Sequence, residues 1–311
     1  MKNKTIVITG GTGFIGQNLA HFLTQKGYKP IIIARNHPTK LPYEFLQWDA
    51  RTEKGWYDSL EGALAVVNLA GRTVDCIKTP DHCDEILRSR VESTLAIGKA
   101  LRKVKNPPKI WVQMSTAHIY GDPPKLICEE DAATGYGLAP MVGKAWEEAY
   151  QKAVLPDMKQ VILRTSFVLG KAGGALPQLM KIVKWGLGGK VGHGQQGFSW
   201  IHEKDLNALI LRGIESDKME GIYNISAPNP VSNKEFMRLL RKALKVPIGL
   251  PTPTLMATIG AFLFFKTDPE LALYGRYVRS KRLENEGFQF KYPALAQAFD
   301  EICNNEQVLS T

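Results

Sequence analysis

Lys4-Thr-Ile-Val-Ile-Thr-Gly-Gly-Thr-Gly-Phe-Ile-Gly16 reads as a strand, a tight turn and the start of a helix. The apolar run Ile6-Val7-Ile8 ends in Thr9, and Gly10, Gly13 and Gly16 then recur every third residue. Beyond them the residues from Leu19 to Leu23 take a helical period. A helix N-terminus offers unpaired backbone N–H groups and the positive end of its dipole, so it holds a phosphate where the chain comes close. In that arrangement Gly10 makes the sharp turn, Gly13 lets a pyrophosphate reach the backbone, and Gly16 lets the helix pack closely on the strand. A second strand, residues 30–34, follows at the distance of one strand-helix-strand unit. That context favours a dinucleotide site over a purely structural glycine turn.

The end of the second strand selects the dinucleotide. An Asp or Glu there would accept hydrogen bonds from ribose hydroxyls, whereas a 2′-phosphate requires a cation. The chain reads Ile31-Ile-Ile-Ala-Arg35-Asn36, with Lys40 nearby and no acid. Arg35 can fork onto a phosphate, and Asn36 adds a donor, so NADP(H) is the expected cofactor.

Further strands follow on short connections: Phe45-Leu-Gln-Trp48, after which Asp49 passes the expected adenine position; residues 63–69, leading into Asn68-Leu-Ala-Gly71; Ile110 to Met114, delivering Ser115-Thr-Ala-His-Ile-Tyr-Gly121; and Val161-Ile-Leu-Arg164-Thr165. Between them lie a long helical pattern over 80–103 and a helix expected to begin at Pro140, whose missing N–H is no loss in a first turn. This alternation predicts an α/β fold with a doubly wound parallel sheet of Rossmann type. Ligands then bind beyond the carboxyl ends of the strands, where the Gly10, Asn68 and Ser115 turns gather. The small residues after Asn68 suit a backbone lying against a cofactor, and suit a plain turn equally well.

The expected division is an NADP(H)-binding domain, 1–170, completed by the strand and helices of 198–230. Residues 171–197 and 231–311 would form a smaller, mostly helical lobe on the substrate side. The glycine-rich segment 170–197 would line the site or act as a lid, and the apolar run 255–265, too short to cross a bilayer, would be a buried or groove-lining helix.

Composition narrows the function classes. Among 311 residues, 44% are hydrophobic and 23% charged, ordinary values for a globular protein. The net charge of +10 suits anionic ligands, but no basic block or basic-aromatic motif points to nucleic acid. Cys76, Cys83, Cys128 and Cys303 form neither a metal motif nor a disulfide pattern, so a reducing cytoplasm is expected and no metal is assigned. Asp81-His82-Cys83-Asp84 reads as a solvated loop or helix start. The first strand begins within a few residues of Met1, leaving no room for a signal peptide, and no stable membrane insertion is expected.

Taken together, Thr9-Gly-Gly-Thr-Gly-Phe-Ile-Gly16, Asn68-Leu-Ala-Gly71, Ser115-Thr-Ala-His-Ile-Tyr-Gly121 and Tyr223-Asn-Ile-Ser226 resemble the extended short-chain dehydrogenase/reductases, the branch with nucleotide-sugar epimerases. More narrowly, Lys144-Ala-Trp-Glu-Glu148, Gly186-Leu-Gly-Gly189 and Trp200-Ile-His202 with Asp205 resemble its atypical "epimerase family protein" group, the 39U group. The resemblance runs over essentially the whole chain.

It implies cofactor contacts from Gly10, Thr12, Gly13, Phe14, Ile15, Gly16, Arg35, Asn36, Asp49, Leu69, Ala70, Gly71, Ser115 and Lys144. It also implies a Ser or Thr that holds the reacting oxygen, here Thr116, and a Tyr that exchanges the proton, with a Lys four residues later, here Lys144. The Tyr position is residue 140, which is Pro. Tyr136 is the candidate substitute carried forward, with Tyr120, His118 and His202 as others. A second departure is Arg90, where many members carry Asn.

Two functions remain. One is an NADP(H)-dependent epimerase-like oxidoreductase acting on an unknown small molecule, for which Lys181, Lys184 and Lys190 suggest a phosphorylated or nucleotide-linked type. The other is a regulatory protein that binds NADP(H) without using it. The resemblance further implies a homodimer through the helices at 80–103 and 140–153.

Overall fold

Strands that are apolar on both faces need a helix layer on each side. The computed structural model, which describes residues 4–123 and 126–304, supplies them. The strands are β1 (Thr5–Thr9), β2 (Lys29–Ala34), β3 (Glu44–Gln47), β4 (Ala65–Asn68), β5 (Ile110–Thr116), β6 (Lys159–Thr165) and β7 (Gly221–Ile225). They form one parallel sheet in the order β3-β2-β1-β4-β5-β6-β7. Connections run outward from β1 to β3 and return to β4 on its other side, so the order reverses between β1 and β4. That switch point opens the crevice for a ligand.

Alternation along β1 distributes its side chains between the layers. Ile6 and Ile8 face α1 (Phe14–Gln25), packing with Leu19 and Leu23. Val7 faces α2 (Pro80–Leu101) and α3 (Leu138–Ala153), sharing a core with Ile97, Leu101 and Tyr150. Gly98 lets those two helices meet: an alanine Cβ there would stand 2.7 Å from the Cβ of Ala153. After β6, α4 (Leu176–Lys184) leaves the sheet and α5 (Glu203–Glu215) returns to join α1.

A separate core builds the smaller lobe. Leu176, Met180 and Val183 of α4 pack with Phe236, Met237 and Leu240 of α6 (Asn233–Ala243) and with Leu295, Phe299 and Ile302 of the helix Leu295–Asn304. The glycine-rich segment therefore contains a core helix, and only its first residues, around Gly173 and Gly174, lie against α1 at Phe14.

Two further expectations change. Helix α3 begins at Leu138, after Gly137 at φ 97°, and Pro140 is its third residue. The proline costs no helical hydrogen bond there, because the first intrahelical bond is Met141 N–H to the Gly137 carbonyl at 3.1 Å. Within the apolar run 255–265, α7 (Thr254–Gly260) has no buried residue, while Ala261 after it is buried.

Candidate active site

The phosphate cradle is the most constrained part of the site. Gly10 holds φ 71°, and an alanine Cβ there would meet the backbone of Leu69 and Ala70 at 2.8 Å. Gly16 serves the turn more than the strand, since a Cβ would stand 2.5 Å from the Gly11 Cα. Gly13 is open, with only the Gly10 carbonyl oxygen near its Cβ position, at 3.5 Å. Helix α1 has neither a side-chain cap nor an acid in its first turn. The backbone of Gly13, Phe14, Ile15 and Gly16 thus presents a helix N-terminus uncovered by side chains, which fits a pyrophosphate. Phe14 offers backbone only, because its ring packs against Gly173. The Thr12 carbonyl accepts from Gln17 Nε2 at 2.6 Å.

Asn68 locks the neighbouring turn from below. Its Oδ1 accepts from Thr9 Oγ1 at 2.8 Å and from the Ala70 N–H at 3.0 Å, while Nδ2 donates to Thr94 Oγ1 and Gln113 Oε1. The Leu69 N–H donates to the Thr9 carbonyl at 2.9 Å. Every polar atom of this buried amide is used, so β1, β4, β5 and α2 are held in one register. Gly71 lies under the Arg90 guanidinium, which also sits 5.1 Å from the Trp146 ring. Burial lowers the Arg90 pKa to about 10.

At the far end of the crevice, Arg35 lines a cavity of about 390 Å³ with Gln47, Trp48, Asp49, Thr52 and Lys54. An adjoining cavity of about 340 Å³ shares Arg35 and Asp49 and adds Arg51, Arg72 and Arg88. The Asp49 carboxylate is occupied by Arg51 N–H, Thr52 N–H and Thr52 Oγ1, at 2.8, 2.8 and 2.9 Å. Burial alone would raise its pKa, but these bonds hold it below the usual value. Lys54 is a second cation that sequence spacing does not reveal. Asn36 and Lys40 are exposed and line neither cavity.

At the opposite end of the crevice, Ser115 is committed below the surface. Its hydroxyl donates to Glu147 Oε1 at 2.6 Å, and Glu147 takes a two-pronged contact from Arg164 at 2.9 Å for each prong. Arg164 continues to the Tyr120 hydroxyl at 2.9 Å, which donates to Asn224 Oδ1 at 2.8 Å. Burial opposes the Arg164 charge, yet Glu147 more than compensates and raises its pKa. Tyr120 is buried with its phenol pKa raised chiefly by burial, so it is a structural link rather than a proton donor. A charged residue inside the apolar strand Val161-Ile-Leu-Arg164 was the sequence signal for this network.

Thr116 ends β5 half-buried, its methyl against Gly143 of α3 and its hydroxyl accepting the His118 N–H at 3.1 Å. Among the described residues no hydrogen bond joins Thr116 to Lys144 or Tyr136. Pro140 is buried, Lys144 is exposed with no partner among the described residues, and Tyr136 is 96% exposed. His202 caps α5 through Nδ1, contacts Glu301 through Nε2 at 3.0 Å and stacks on Tyr292, which is a structural role. His118 is different. Its ring has no hydrogen-bond partner among the described residues, and burial, followed by the charges of Arg276 and Lys78, lowers its pKa to about 3.

Residues 6–226 match the NAD dependent epimerase/dehydratase family. The chain belongs to that family. Residues 253–302 match a domain of unknown function, DUF1731, which covers α7 and most of the last helix. The chain is 33% identical over 307 residues to Epimerase family protein SDR39U1 of Bos taurus, covering 96% of this chain and 99% of that protein. Identity to Epimerase family protein YfhF of Bacillus subtilis is 30% over 306 residues, 96% of this chain and 97% of the other. The crystal structure of human SDR39U1 (isoform 2) with NADPH matches at a TM-score of 0.86 and 29% identity, covering 97% and 99% of the two chains. UDP-N-acetylglucosamine 4-epimerase from Bacillus cereus, 19% identical with a TM-score of 0.76 over 97% of this chain and 98% of its own, shares the fold. In this chain the glycine turn leads into an uncapped helix N-terminus, and residue 140 is Pro.

Proposed function

We propose that the chain is an NADP(H)-dependent, epimerase-like oxidoreductase that acts on a carbonyl or secondary alcohol of a small anionic substrate, with His118 exchanging the proton. The cradle at α1, with Arg35 and Lys54 at the ribose end, supports NADP(H), as does the NADPH in the human relative's crystal structure. When bound, the cofactor supplies or accepts a hydride. The chain's residues then have three tasks: Thr116 holds the reacting oxygen, Lys78 and Arg276 attract the substrate's anionic group, and His118 takes the hydroxyl proton or returns it.

His118 carries this reading, as an unpartnered ring next to Thr116 and within the influence of two cations. Burial is the larger cause of its lowered pKa, and a substrate anion near Lys78 and Arg276 would offset the smaller part that their charges add. The test is single-turnover reduction of NADP+ by a generic secondary alcohol bearing a phosphate or carboxylate, the direction in which a neutral His118 accepts the hydroxyl proton as the hydride leaves. His118→Ala should lose about 10²–10⁴-fold in rate, the usual contribution of a general acid-base group, with NADPH affinity unchanged.

Pro140 favours the second reading, a regulatory protein that binds NADP(H) without hydride chemistry. An inactive wild type together with an active Pro140→Tyr variant would establish that reading and overturn the first.

A further inference from the structure

Two long stretches of this chain carry no acid: residues 158–202 and 236–267 contain neither Asp nor Glu. The fold lays them side by side. The Leu250 N–H donates to the Gly186 carbonyl at 2.8 Å, the Gly189 N–H to the Leu250 carbonyl at 3.1 Å, and Arg241 to the Gly188 carbonyl at 2.6 Å. Val191 and Thr252 form a parallel bridge, and Gly192 reaches the start of α7 at Thr254.

The joined segments expose apolar side chains that the smaller lobe does not cover. Trp185 is 69% exposed, Leu255 70% and Leu263 68%, with Leu187, Leu250 and Phe262 also exposed. Exposed Lys181, Lys190, Lys242, Lys245 and Lys266 lie along the same segments. No helix among the described residues is long and apolar enough to cross a membrane. Apolar residues including Trp, together with lysines along segments that themselves hold no carboxylate, the first acids beyond Lys266 being Asp268 and Glu270, are the combination that seats a protein on an anionic lipid surface.

We propose that this face, α7 with the turns at 185–190 and 248–252, docks on the surface of an anionic phospholipid bilayer. The apolar side chains enter the headgroup boundary while the lysines meet lipid phosphates. Charge complementarity selects lipid over a second copy of the chain, because pairing the face with itself would set lysines against lysines. The same segment runs on to Arg276, which donates to the Gly121 carbonyl at 2.6 Å beside His118, so docking would place the substrate side of the crevice near the lipid.

Flotation of the full chain with phosphatidylcholine vesicles, with and without 30% phosphatidylglycerol (about one lipid in three, enough to set a strong surface potential), tests this. Expected is binding only to the anionic vesicles, with a blue shift of Trp185 fluorescence and release at high salt. Lys245→Gln with Lys266→Gln should weaken binding by about tenfold, and Phe262→Asp with Leu263→Asp should abolish it. Because these side chains are exposed, both variants should still bind NADPH, which separates lost docking from lost folding. Failure of the wild type to float, equal binding to neutral vesicles, or a concentration-dependent dimer abolished by Phe262→Asp in place of vesicle binding would each overturn the proposal.

Discussion

The cofactor end and the chemical end of the crevice are built with opposite tolerance. Around Gly10, Gly16 and Asn68, each backbone position is fixed by a contact that a single methyl would break or by a buried amide with no spare atom. Around Thr116 the support is just as rigid below the surface, in the Ser115-Glu147-Arg164-Tyr120 network, yet the groups that should face a substrate are replaced, exposed or unpartnered. Binding geometry therefore persists here independently of the proton-transfer group. A family fold constrains the position of the cofactor more tightly than the identity of the residue that moves the proton.

The largest effect should come from breaking the rigid support of the chemical end. Glu147→Ala leaves the buried Arg164 charge and the Ser115 hydroxyl without their main partner. We expect a loss of about 3–5 kcal/mol, the usual cost of removing one member of a buried pair. Chemical denaturation measures it. If the loss falls below about 1 kcal/mol, comparable to an exposed pair, the network is not a structural unit and the contrast between the ends fails.

Legibility in the sequence followed the range of the interaction. The glycine turn is local: strand, φ-positive Gly10 and helix lie within one stretch, so spacing alone places the cradle. Arg35 was readable for the same reason, because it ends the second strand. Lys54 was not, since it reaches Arg35 only after β3 pairs with β2 and Asp49 ties the following turn. The Glu147–Arg164 pair joins a helix to a strand, and only Arg164's place in an apolar strand hinted at it. By type and position Tyr136 was the candidate carried forward and His118 one of the others. Burial separates them, and burial depends on the whole fold. Of the two expectations for 255–265, a buried or a groove-lining helix, the buried one fails, since Leu255, Met256, Ile259, Phe262 and Leu263 stay exposed: apolar composition shows what a segment can bury, not that it does.

At the cofactor end the charge argument gives a smaller effect. Arg35→Ala should weaken NADPH binding by about 1.5–3 kcal/mol, the range for a charge-assisted hydrogen bond, and leave NADH nearly unchanged. Calorimetric titration of both nucleotides reads the difference directly. Equal losses for the two would assign Arg35 to the shared part of the cofactor and leave Lys54 as the 2′-phosphate cation. Binding of neither nucleotide by the wild type would mean that the glycine turn is structural.

The smallest effect sharpens the comparison at the seam between the two ends. Glu203 opens α5, accepts from Asn18 Nδ2 of α1 at 2.5 Å and touches the loop that covers Phe14. Burial, then the charge of Glu301, raises its pKa to about 7 from an ordinary 4.5. A raised acid holds its proton longer when folded, so its stabilising contribution is full below pH 4.5 and is lost as pH rises to about 7. Neighbouring His202 runs the other way: burial lowers it from 6.5 to about 4, so stability is lost as pH falls through that window. The two slopes oppose each other between pH 4.5 and 6.5, leaving the Glu203 charge as a net cost above neutrality. Glu203→Gln keeps an acceptor for Asn18 and removes that charge. It should therefore stabilise the fold at pH 8 by about 1 kcal/mol, because solvent around this partly buried carboxylate screens most of the roughly 3 kcal/mol that a rise from 4.5 to about 7 would imply, and by nothing near pH 4.5. Thermal denaturation at the two pH values distinguishes this from a simple packing gain, which would be the same at both. No change at either pH would show that the carboxylate is already solvated, and the loop over Phe14 would then be more open than the contacts around Gly170 indicate.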